Sequence, residues 1–197
     1  MSDGTDAVIQ GSELVLGGVR SGKSGYAQLQ AERSGGRVHY IATARNSRQD
    51  SSMQERIARH RRLRPDHWTV IEEPLYLADT LVRHASEENC LLVECLTLWL
   101  TNISYDTDDQ ERFIREREHL LEAIATLPGR IILVANEVGL GVMPMAPEVR
   151  GFLDQAGMLN QEVARRVDAV TLVAAGLPLP LKSPPVAPTD SEIPIQP

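Results

Sequence analysis

The sequence has little of what marks secreted or membrane proteins. It contains only two cysteines, Cys90 and Cys95, and two thiols alone cannot complete a zinc site. Because they are five positions apart, we expect them to be reduced core residues that point to opposite faces of a strand. No apolar run approaches the roughly 20 residues of a membrane span, and residues 1–12 lack the basic and apolar regions of a secretory signal. These absences favour a cytoplasmic protein without a membrane span.

Basic residues are in the minority: 20 lysines and arginines stand against 27 acidic residues, and the formal net charge is -7. This balance argues against nonspecific binding of nucleic acid or of anionic membranes. Any anion site must therefore be local. The length fits one domain, which we expect over residues 13–182. We expect the flanking segments, residues 1–12 and the proline-rich 183–197, to be disordered tails.

What the sequence does contain is a glycine-rich pattern directly after the apolar run Leu14–Leu16. Residues 17–24 fit G-x-x-x-x-G-K-[ST], which predicts a phosphate-binding loop followed by a helix, although a chance glycine-rich turn is the alternative. We expect Lys23 to reach the β- and γ-phosphates and Ser24 to offer its hydroxyl to Mg²⁺. The predicted nucleotide-binding residues of this loop are Gly17, Gly18, Val19, Arg20, Ser21, Gly22, Lys23 and Ser24.

Strand and helix patterns alternate along the chain. The runs Arg37–Ala42, Cys90–Cys95 and Arg130–Ala135 are β-rich or continuously apolar, which is typical of buried parallel strands. Further strands are predicted at 68–71 and 169–174, and helices at 25–33, 51–63, 75–84, 110–127 and 147–167. We therefore predict an α/β fold, a three-layer P-loop type with a mostly parallel sheet and right-handed crossovers.

Ligands of such sheets bind beyond the carboxyl ends of the strands, and this rule selects further candidates. Thr43 and Ala44 follow the second strand. Glu94 ends an apolar run, so we interpret it as a carboxylate facing Mg²⁺, with pairing to an arginine as the alternative. Asn136 and Glu137 follow another core strand and form either a substrate loop or a simple strand-exit turn.

A local basic cluster occupies residues 56–64 of this acidic chain. It contains five arginines, Arg56, Arg59, Arg61, Arg62 and Arg64, which predict either a triphosphate site or a solvated basic helix. His60 lies inside the cluster. It is either a half-buried core histidine or a nucleophile toward phosphorus that the neighbouring arginines keep deprotonated. Glu72 closes another strand, where it either accepts hydrogen bonds from a base or ribose or is merely solvated.

Together these motifs resemble those of the bifunctional adenosylcobinamide kinase / adenosylcobinamide-phosphate guanylyltransferase family. The match runs from about Glu13 to Lys182. It rests on the joint order of GGVRSGKS, YIATA, the R-I-x-x-H-x-x-x-R-P run at 56–65, LLVECLTLWLTN, NEVGLG, AGMLNQ and AGLPLPLK.

The resemblance implies two reactions of an enzyme of cobalamin biosynthesis. ATP or GTP phosphorylates adenosylcobinamide, and a histidine, His60 here, then carries GMP from GTP to that new phosphate. The resemblance also implies a trimer. It assigns guanine-nucleotide binding to 17–24 and to Ala42, Thr43, Ala44, Arg61, Arg62, Leu63, Arg64, Glu72 and Glu94.

Two other functions fit the phosphate-binding loop. A one-step kinase of another small hydroxyl substrate would leave His60 as a packing residue. A nucleotide-binding regulatory module would use the triphosphate as a switch and turn over no corrinoid.

Overall fold

A mostly parallel β-sheet organises the described part of the chain. The computed structural model describes residues 11–45, 64–106 and 110–183. In chain order its elements are β1 (Gly11–Gly17), α1 (Lys23–Arg33), β2 (Arg37–Ala42), β3 (Thr69–Glu72), α2 (Leu77–His84), β4 (Asn89–Glu94), α3 (Leu96–Asp106), α4 (Gln110–Thr126), β5 (Arg130–Asn136), α5 (Pro147–Arg166), β6 (Ala169–Ala174) and β7 (Leu177–Lys182).

Within these ranges the sheet has seven strands in the order β3-β2-β4-β5-β1-β6-β7. All neighbouring strands are parallel except β7, which runs antiparallel to β6. Parallel strands are buried on both faces, which is why β1, β4 and β5 read as continuous apolar runs. The predicted α/β fold of the P-loop type is confirmed.

Alternation along the strands divides the core into two layers. On β4, Leu91 and Val93 belong to the larger core cluster, to which α2, α3, α4 and α5 contribute. Leu92 belongs to the smaller cluster, where it packs with Ala27 and Ala31 of α1. Thus α1 covers one face and the other four helices cover the opposite face. Within the described ranges, none of these helices has the length and apolar character needed to cross a bilayer.

Most predicted elements agree with the structure to within two residues. β2 has the predicted bounds, and β4 and α2 are shifted by one or two positions. The stretch that begins at Leu96, for which we predicted no element, is helix α3. β1 begins at Gly11, two residues before the expected start of the domain. The predicted helix at 51–63 lies outside the described residues.

The sequence patterns did not predict β7. Pro178 and Pro180 lie within it and pair with Val173 and Thr171 of β6. Proline lacks the N–H group that an interior strand needs, so prolines argue against a strand unless it lies at an edge. β7 is the last strand of the sheet, and this edge position accommodates both prolines.

The two cysteines are buried free thiols, as predicted, and burial raises the pKa of both. The prediction that they point to opposite faces is wrong. Cys95 follows Glu94, the last residue of β4, so the alternation of the strand does not extend to it. Both side chains lie in the smaller core cluster, beneath α1.

Candidate active site

The predicted phosphate-binding loop connects β1 to α1 at the carboxyl edge of the sheet. Gly17 leaves no room for a side chain, since a Cβ there would lie 2.5 Å from Ser21 Oγ and 2.6 Å from the Val173 carbonyl oxygen. Gly22, the residue before α1, has φ of 97°, in the left-handed region that other residues rarely adopt. These two glycines allow a tight loop that faces the N-terminal end of α1, a favourable position for an anion.

Lys23 directs its ammonium group back over this loop. The residue is only 9% exposed, and its Nζ donates to the Gly18 carbonyl at 3.2 Å. The backbone N–H of Ser21 donates to the same carbonyl at 3.2 Å. A Cβ added at Gly18 would meet nothing within 4 Å, so the space above the loop is open. A largely buried ammonium beside an open glycine loop suits a phosphate group.

Ser24, the second residue of α1, contacts Glu94 at the end of β4. The Ser24 hydroxyl donates to Glu94 Oε1 in a short contact. β5 lies between β1 and β4, yet the carboxylate reaches α1 because Glu94 projects on the same face as Leu92, which packs in the cluster beneath that helix. The structure thus brings together the hydroxyl and the carboxylate that were predicted to face Mg²⁺.

Tyr40 links this carboxylate to Arg64, the last residue of the basic cluster. Its hydroxyl donates to Glu94 Oε2 at 3.3 Å, and the centroid of its ring lies 3.8 Å from Cζ of Arg64. Burial raises the pKa of Tyr40, and the negative charge of Glu94 adds to the rise, so the phenol stays protonated at neutral pH. Sequence reasoning missed Tyr40, although it lies two residues before Ala42 and so on the same face of β2.

The last residue of β2 is in register with the last residues of β3 and β4, which are two of the predicted site carboxylates. Ala42 pairs with Glu72 of β3 on one side and with Glu94 of β4 on the other. The next residue, Thr43, is 0% exposed, and its hydroxyl donates to the Cys95 carbonyl at 2.8 Å and accepts from the Cys95 N–H at 2.7 Å. Its side chain joins two strand ends, and nucleotide binding by Thr43 stays a prediction.

Three other predicted residues at this edge are more accessible. Val19 is 71% exposed. Arg20 is exposed as well and has a left-handed φ of 58°. Ala44 is half-buried. Val19 and Arg20 thus form the exposed part of the loop, and Ala44 follows the end of β2.

The predicted substrate loop lies directly beside the phosphate-binding loop. The backbone N–H of Glu137 donates to the Gly17 carbonyl at 3.1 Å, and that of Asn136 donates to the Thr97 hydroxyl at 2.7 Å. Glu137 Oε1 accepts the N–H of Gly139 at 2.9 Å. These contacts form a strand-exit turn that is held against the phosphate-binding loop, and its role in substrate binding stays a prediction.

The predicted nucleophile lies outside the described residues. Residues 46–63 contain four of the predicted site residues, His60, Arg61, Arg62 and Leu63, and their roles stay predictions. Arg64, which follows them, is described. Its stacking on Tyr40 brings the carboxyl end of the basic cluster to the edge of the sheet where Glu94 lies.

The turn between β6 and β7 also belongs to this edge and was missed. The N–H of Gly176 donates to the Ser21 carbonyl at 2.7 Å. Asn102 of α3 was missed too, and its amide donates to the carbonyls of Thr43 at 2.7 Å and Pro74 at 3.1 Å. Both residues lie in motifs quoted above, AGLPLPLK and LLVECLTLWLTN, but their partners are far away in sequence, so only the fold reveals these contacts.

A glycine loop between a parallel strand and a helix, with a lysine over it and a serine–carboxylate pair beside it, defines the class of P-loop nucleotide-binding α/β proteins. Residues 13–181 match the family model described as cobinamide kinase / cobinamide phosphate guanyltransferase. The chain belongs to this family. The resemblance seen in the motifs is thereby confirmed, as is the prediction of an enzyme with kinase and guanylyltransferase activities, at the level of the family.

Curated relatives agree with this assignment. The bifunctional adenosylcobalamin biosynthesis protein CobP of Pseudomonas aeruginosa is 53% identical over 174 residues, which cover 88% of this chain and 99% of the relative. The bifunctional adenosylcobalamin biosynthesis protein CobU of Escherichia coli is 34% identical over 181 residues, covering 86% of this chain and 98% of the relative. Both similarities extend over nearly the whole length of the relatives.

Solved structures share the fold at low sequence identity. The flagellar accessory protein FlaH from Methanocaldococcus jannaschii aligns with 88% of this chain and 79% of its own, at a TM-score of 0.50 and 12% identity. The PH0250 protein from Pyrococcus horikoshii OT3 aligns with 89% of each chain, at a TM-score of 0.55 and 8% identity. Similarity at this level of identity concerns the fold alone.

Proposed function

We propose that this protein catalyses two successive transfers to a corrinoid. ATP or GTP first phosphorylates adenosylcobinamide. GMP from GTP is then carried on His60 to adenosylcobinamide phosphate, which gives adenosylcobinamide-GDP. Family membership supports the two activities, and one observation carries the nucleotide chemistry: Ser24 and Glu94, 70 positions apart, meet beside the glycine loop.

In the phosphorylation step, the loop N–H groups and the N-terminal end of α1 bind the nucleotide phosphates. Lys23 exchanges its contact with the Gly18 carbonyl for phosphate oxygens and stabilises the charge that develops on the transferring group. The substrate hydroxyl attacks the γ-phosphorus, and the bond from this phosphorus to the β-phosphate oxygen breaks. The products are the phosphorylated corrinoid, a nucleoside diphosphate and a proton.

Ser24 and Glu94 are the residues that would hold Mg²⁺. This ion prefers oxygen ligands and commonly takes one or two from the protein, with nucleotide phosphates and water completing its octahedron. When bound, the ion supplies positive charge to the phosphates.

In the guanylylation step, an imidazole nitrogen of His60 attacks the α-phosphorus of GTP, and pyrophosphate leaves. A phosphate oxygen of the corrinoid then attacks the same phosphorus, and the imidazole leaves. The described end of the basic cluster supports this role: Arg64 stacks on Tyr40, whose hydroxyl donates to Glu94.

Incubation with GTP labelled at the α-phosphorus tests the covalent step. We expect label that survives denaturation, resists alkali and is released by acid, as a phosphoramidate does. His60→Ala should abolish this label, whereas His67→Ala, a change at an exposed histidine seven positions away, should retain it. Label that persists in His60→Ala would contradict the role of His60.

Product analysis with and without adenosylcobinamide separates the alternative functions. The proposed enzyme forms a nucleoside diphosphate in the first step and pyrophosphate in the second. A one-step kinase would form the diphosphate without pyrophosphate. A regulatory module would turn over no corrinoid, although Lys23→Ala would still weaken its nucleotide binding.

We also propose that the protein works in the cytoplasm as a homotrimer. The resemblance to the family supports the trimer, and free thiols at Cys90 and Cys95 agree with a reducing compartment. Sedimentation velocity of the full chain tests the oligomeric state, and a monomer would contradict it.

A further inference from the structure

An exposed apolar segment borders the phosphate-binding loop. Residues 138–146, here called the apolar loop, connect β5 to α5 and contain no charged residue. Four of their large side chains are between 61% and 95% exposed: Leu140 83%, Val142 95%, Met143 61% and Met145 93%. Clustered exposure of this kind marks a binding surface more often than isolated apolar residues do.

The apolar loop is held in place at both ends. Before it, the Glu137 N–H donates to the Gly17 carbonyl at 3.1 Å. After it, Arg150 of α5 reaches back, and its Nη1 donates to the carbonyls of Pro144 at 3.1 Å and Met145 at 2.6 Å. The exposed side chains therefore belong to an anchored segment rather than to a frayed end.

The chemistry of the apolar loop excludes several ligands. Without a charged side chain it offers no countercharge to phosphate, which the glycine loop and Lys23 serve instead. Without polar side chains it gives little hydrogen-bond readout of a nucleotide base. Aliphatic and thioether groups suit a broad apolar ligand, and methionine adapts to irregular shapes. At Gly141 a Cβ would meet nothing within 4 Å, so the surface of the loop is open at this position.

We propose that the apolar loop binds the corrin macrocycle of the acceptor, a methyl-bearing ring with neutral amide arms. The inference rests on the proposed function, which requires a corrinoid whose hydroxyl reaches the nucleotide on the glycine loop, within about 3–3.5 Å of the reacting phosphorus. The apolar loop begins one residue after the one that bonds to Gly17. A ring seated on it therefore lies beside the phosphates. This position favours the acceptor over a second copy of the chain, because only the acceptor must reach that loop.

A double variant, Val142→Ser with Met145→Ser, tests the inference in the full chain. Both side chains are more than 90% exposed, so their loss should leave folding unchanged. We expect the KM and the Kd for adenosylcobinamide to rise about tenfold, since two apolar contacts are lost. The KM for the nucleotide should not change. The Kd is measured without nucleotide, by ultrafiltration and the visible absorbance of the corrinoid.

The matched control is Val82→Ser on α2, where the valine is 52% exposed; it should leave every constant unchanged. An unchanged corrinoid Kd in the double variant would overturn the inference, and so would a change in sedimentation, which would assign the apolar loop to contacts between copies. The two proposals fail separately. Wild-type protein that binds adenosylcobinamide without phosphorylating it refutes the proposed function, while the Kd comparison still decides the role of the apolar loop.

Discussion

The hydroxyl of Tyr40 donates to Oε2 of Glu94 at 3.3 Å, while the other carboxylate oxygen accepts from Ser24. A residue of a neighbouring strand thus orients the carboxylate that faces the start of α1. The ring of Tyr40 also stacks on Arg64. Tyr40 therefore connects Arg64 to the proposed metal ligands, and we propose that it positions Glu94 without touching the substrate.

Replacing Tyr40 with phenylalanine should weaken the use of Mg²⁺ without unfolding the protein. The ring and its contact with Arg64 remain, and only the hydroxyl donor is lost. We expect the Mg²⁺ concentration for half-maximal nucleotide binding to rise about three- to tenfold, the equivalent of one hydrogen bond. Fluorescence titration with a GTP analogue at varied Mg²⁺ measures this shift. The control is Tyr76→Phe, at a tyrosine whose hydroxyl accepts from Arg112 at 3.0 Å. Equal shifts in both variants would contradict a specific role for Tyr40.

Glu94→Gln should impair turnover far more than it impairs folding. The amide keeps the size of the side chain but removes the charge that would face Mg²⁺, so we expect kcat to fall about 100-fold and higher Mg²⁺ to restore part of it. Initial rates and Mg²⁺-dependent nucleotide binding are the measurements. The control is Glu73→Gln at the same edge. Glu73 Oε1 accepts the N–H groups of Leu75 and Tyr76, a role that an amide oxygen can keep. Wild-type turnover in Glu94→Gln at ordinary Mg²⁺ would refute the metal role.

The general form of the fold could be predicted because its signals are local. Continuous apolar runs identify buried strands. Prolines such as Pro74 and Pro128 mark the places where strands and helices end. Once parallel strands alternate with helices, their carboxyl ends must share one edge. Gly17, Ala42, Glu94 and Asn136 do end four neighbouring strands there.

The contacts within the site could not be predicted because they join residues that are far apart in sequence. Thr43 reads as a ligand residue after a strand, but it bonds to the backbone of Cys95, 52 positions away. Tyr40 reads as a core aromatic residue, yet its hydroxyl reaches Glu94. Both pairings follow from the register of β2 against β4. The sequence pattern of one strand does not show how that strand is aligned with its neighbour.

A buried ion pair beneath α1 should matter strongly for stability. The side chains of Arg130 and Glu13 are each 5% exposed and contact each other, and Thr171 donates to Glu13 Oε1 at 2.8 Å. Glu13→Ala leaves a buried guanidinium without its countercharge, so we expect the free energy of unfolding to fall by about 3–5 kcal/mol. Urea unfolding followed by tryptophan fluorescence measures it.

The control for this pair is Glu88→Ala. Glu88 lies 3.9 Å from Arg37, and the two side chains are 78% and 82% exposed, so its loss should cost less than about 0.5 kcal/mol. Glu13→Gln keeps the shape and provides a second measurement if Glu13→Ala does not fold. If Glu13→Ala and Glu88→Ala lowered the free energy of unfolding equally, the buried pair would contribute no more than a surface pair.

The pair between Arg117 of α4 and Glu162 of α5 should make stability depend on pH. Arg117 donates to both carboxylate oxygens, at 2.8 and 2.5 Å. This hydrogen bonding lowers the pKa of Glu162 below its ordinary 4.5. A lowered folded pKa means that the stabilisation is fully present above pH 4.5 and is lost as the pH falls through the folded value.

Glu162→Gln should therefore destabilise the protein at neutral pH but not in acid. At pH 7 we expect a loss of about 1.5 kcal/mol, as for hydrogen bonds to a charged group, and the gap between wild type and variant should close as the pH falls well below 4.5. Urea unfolding at a series of pH values measures both curves. Glu111→Gln is the control, because Glu111 faces Arg115 at 3.7 Å on the surface of α4, with side chains 87% and 63% exposed, where an ion pair contributes little. A gap that stays constant with pH would mean that Glu162 stabilises the packing of α4 on α5 by its shape and not by its charge.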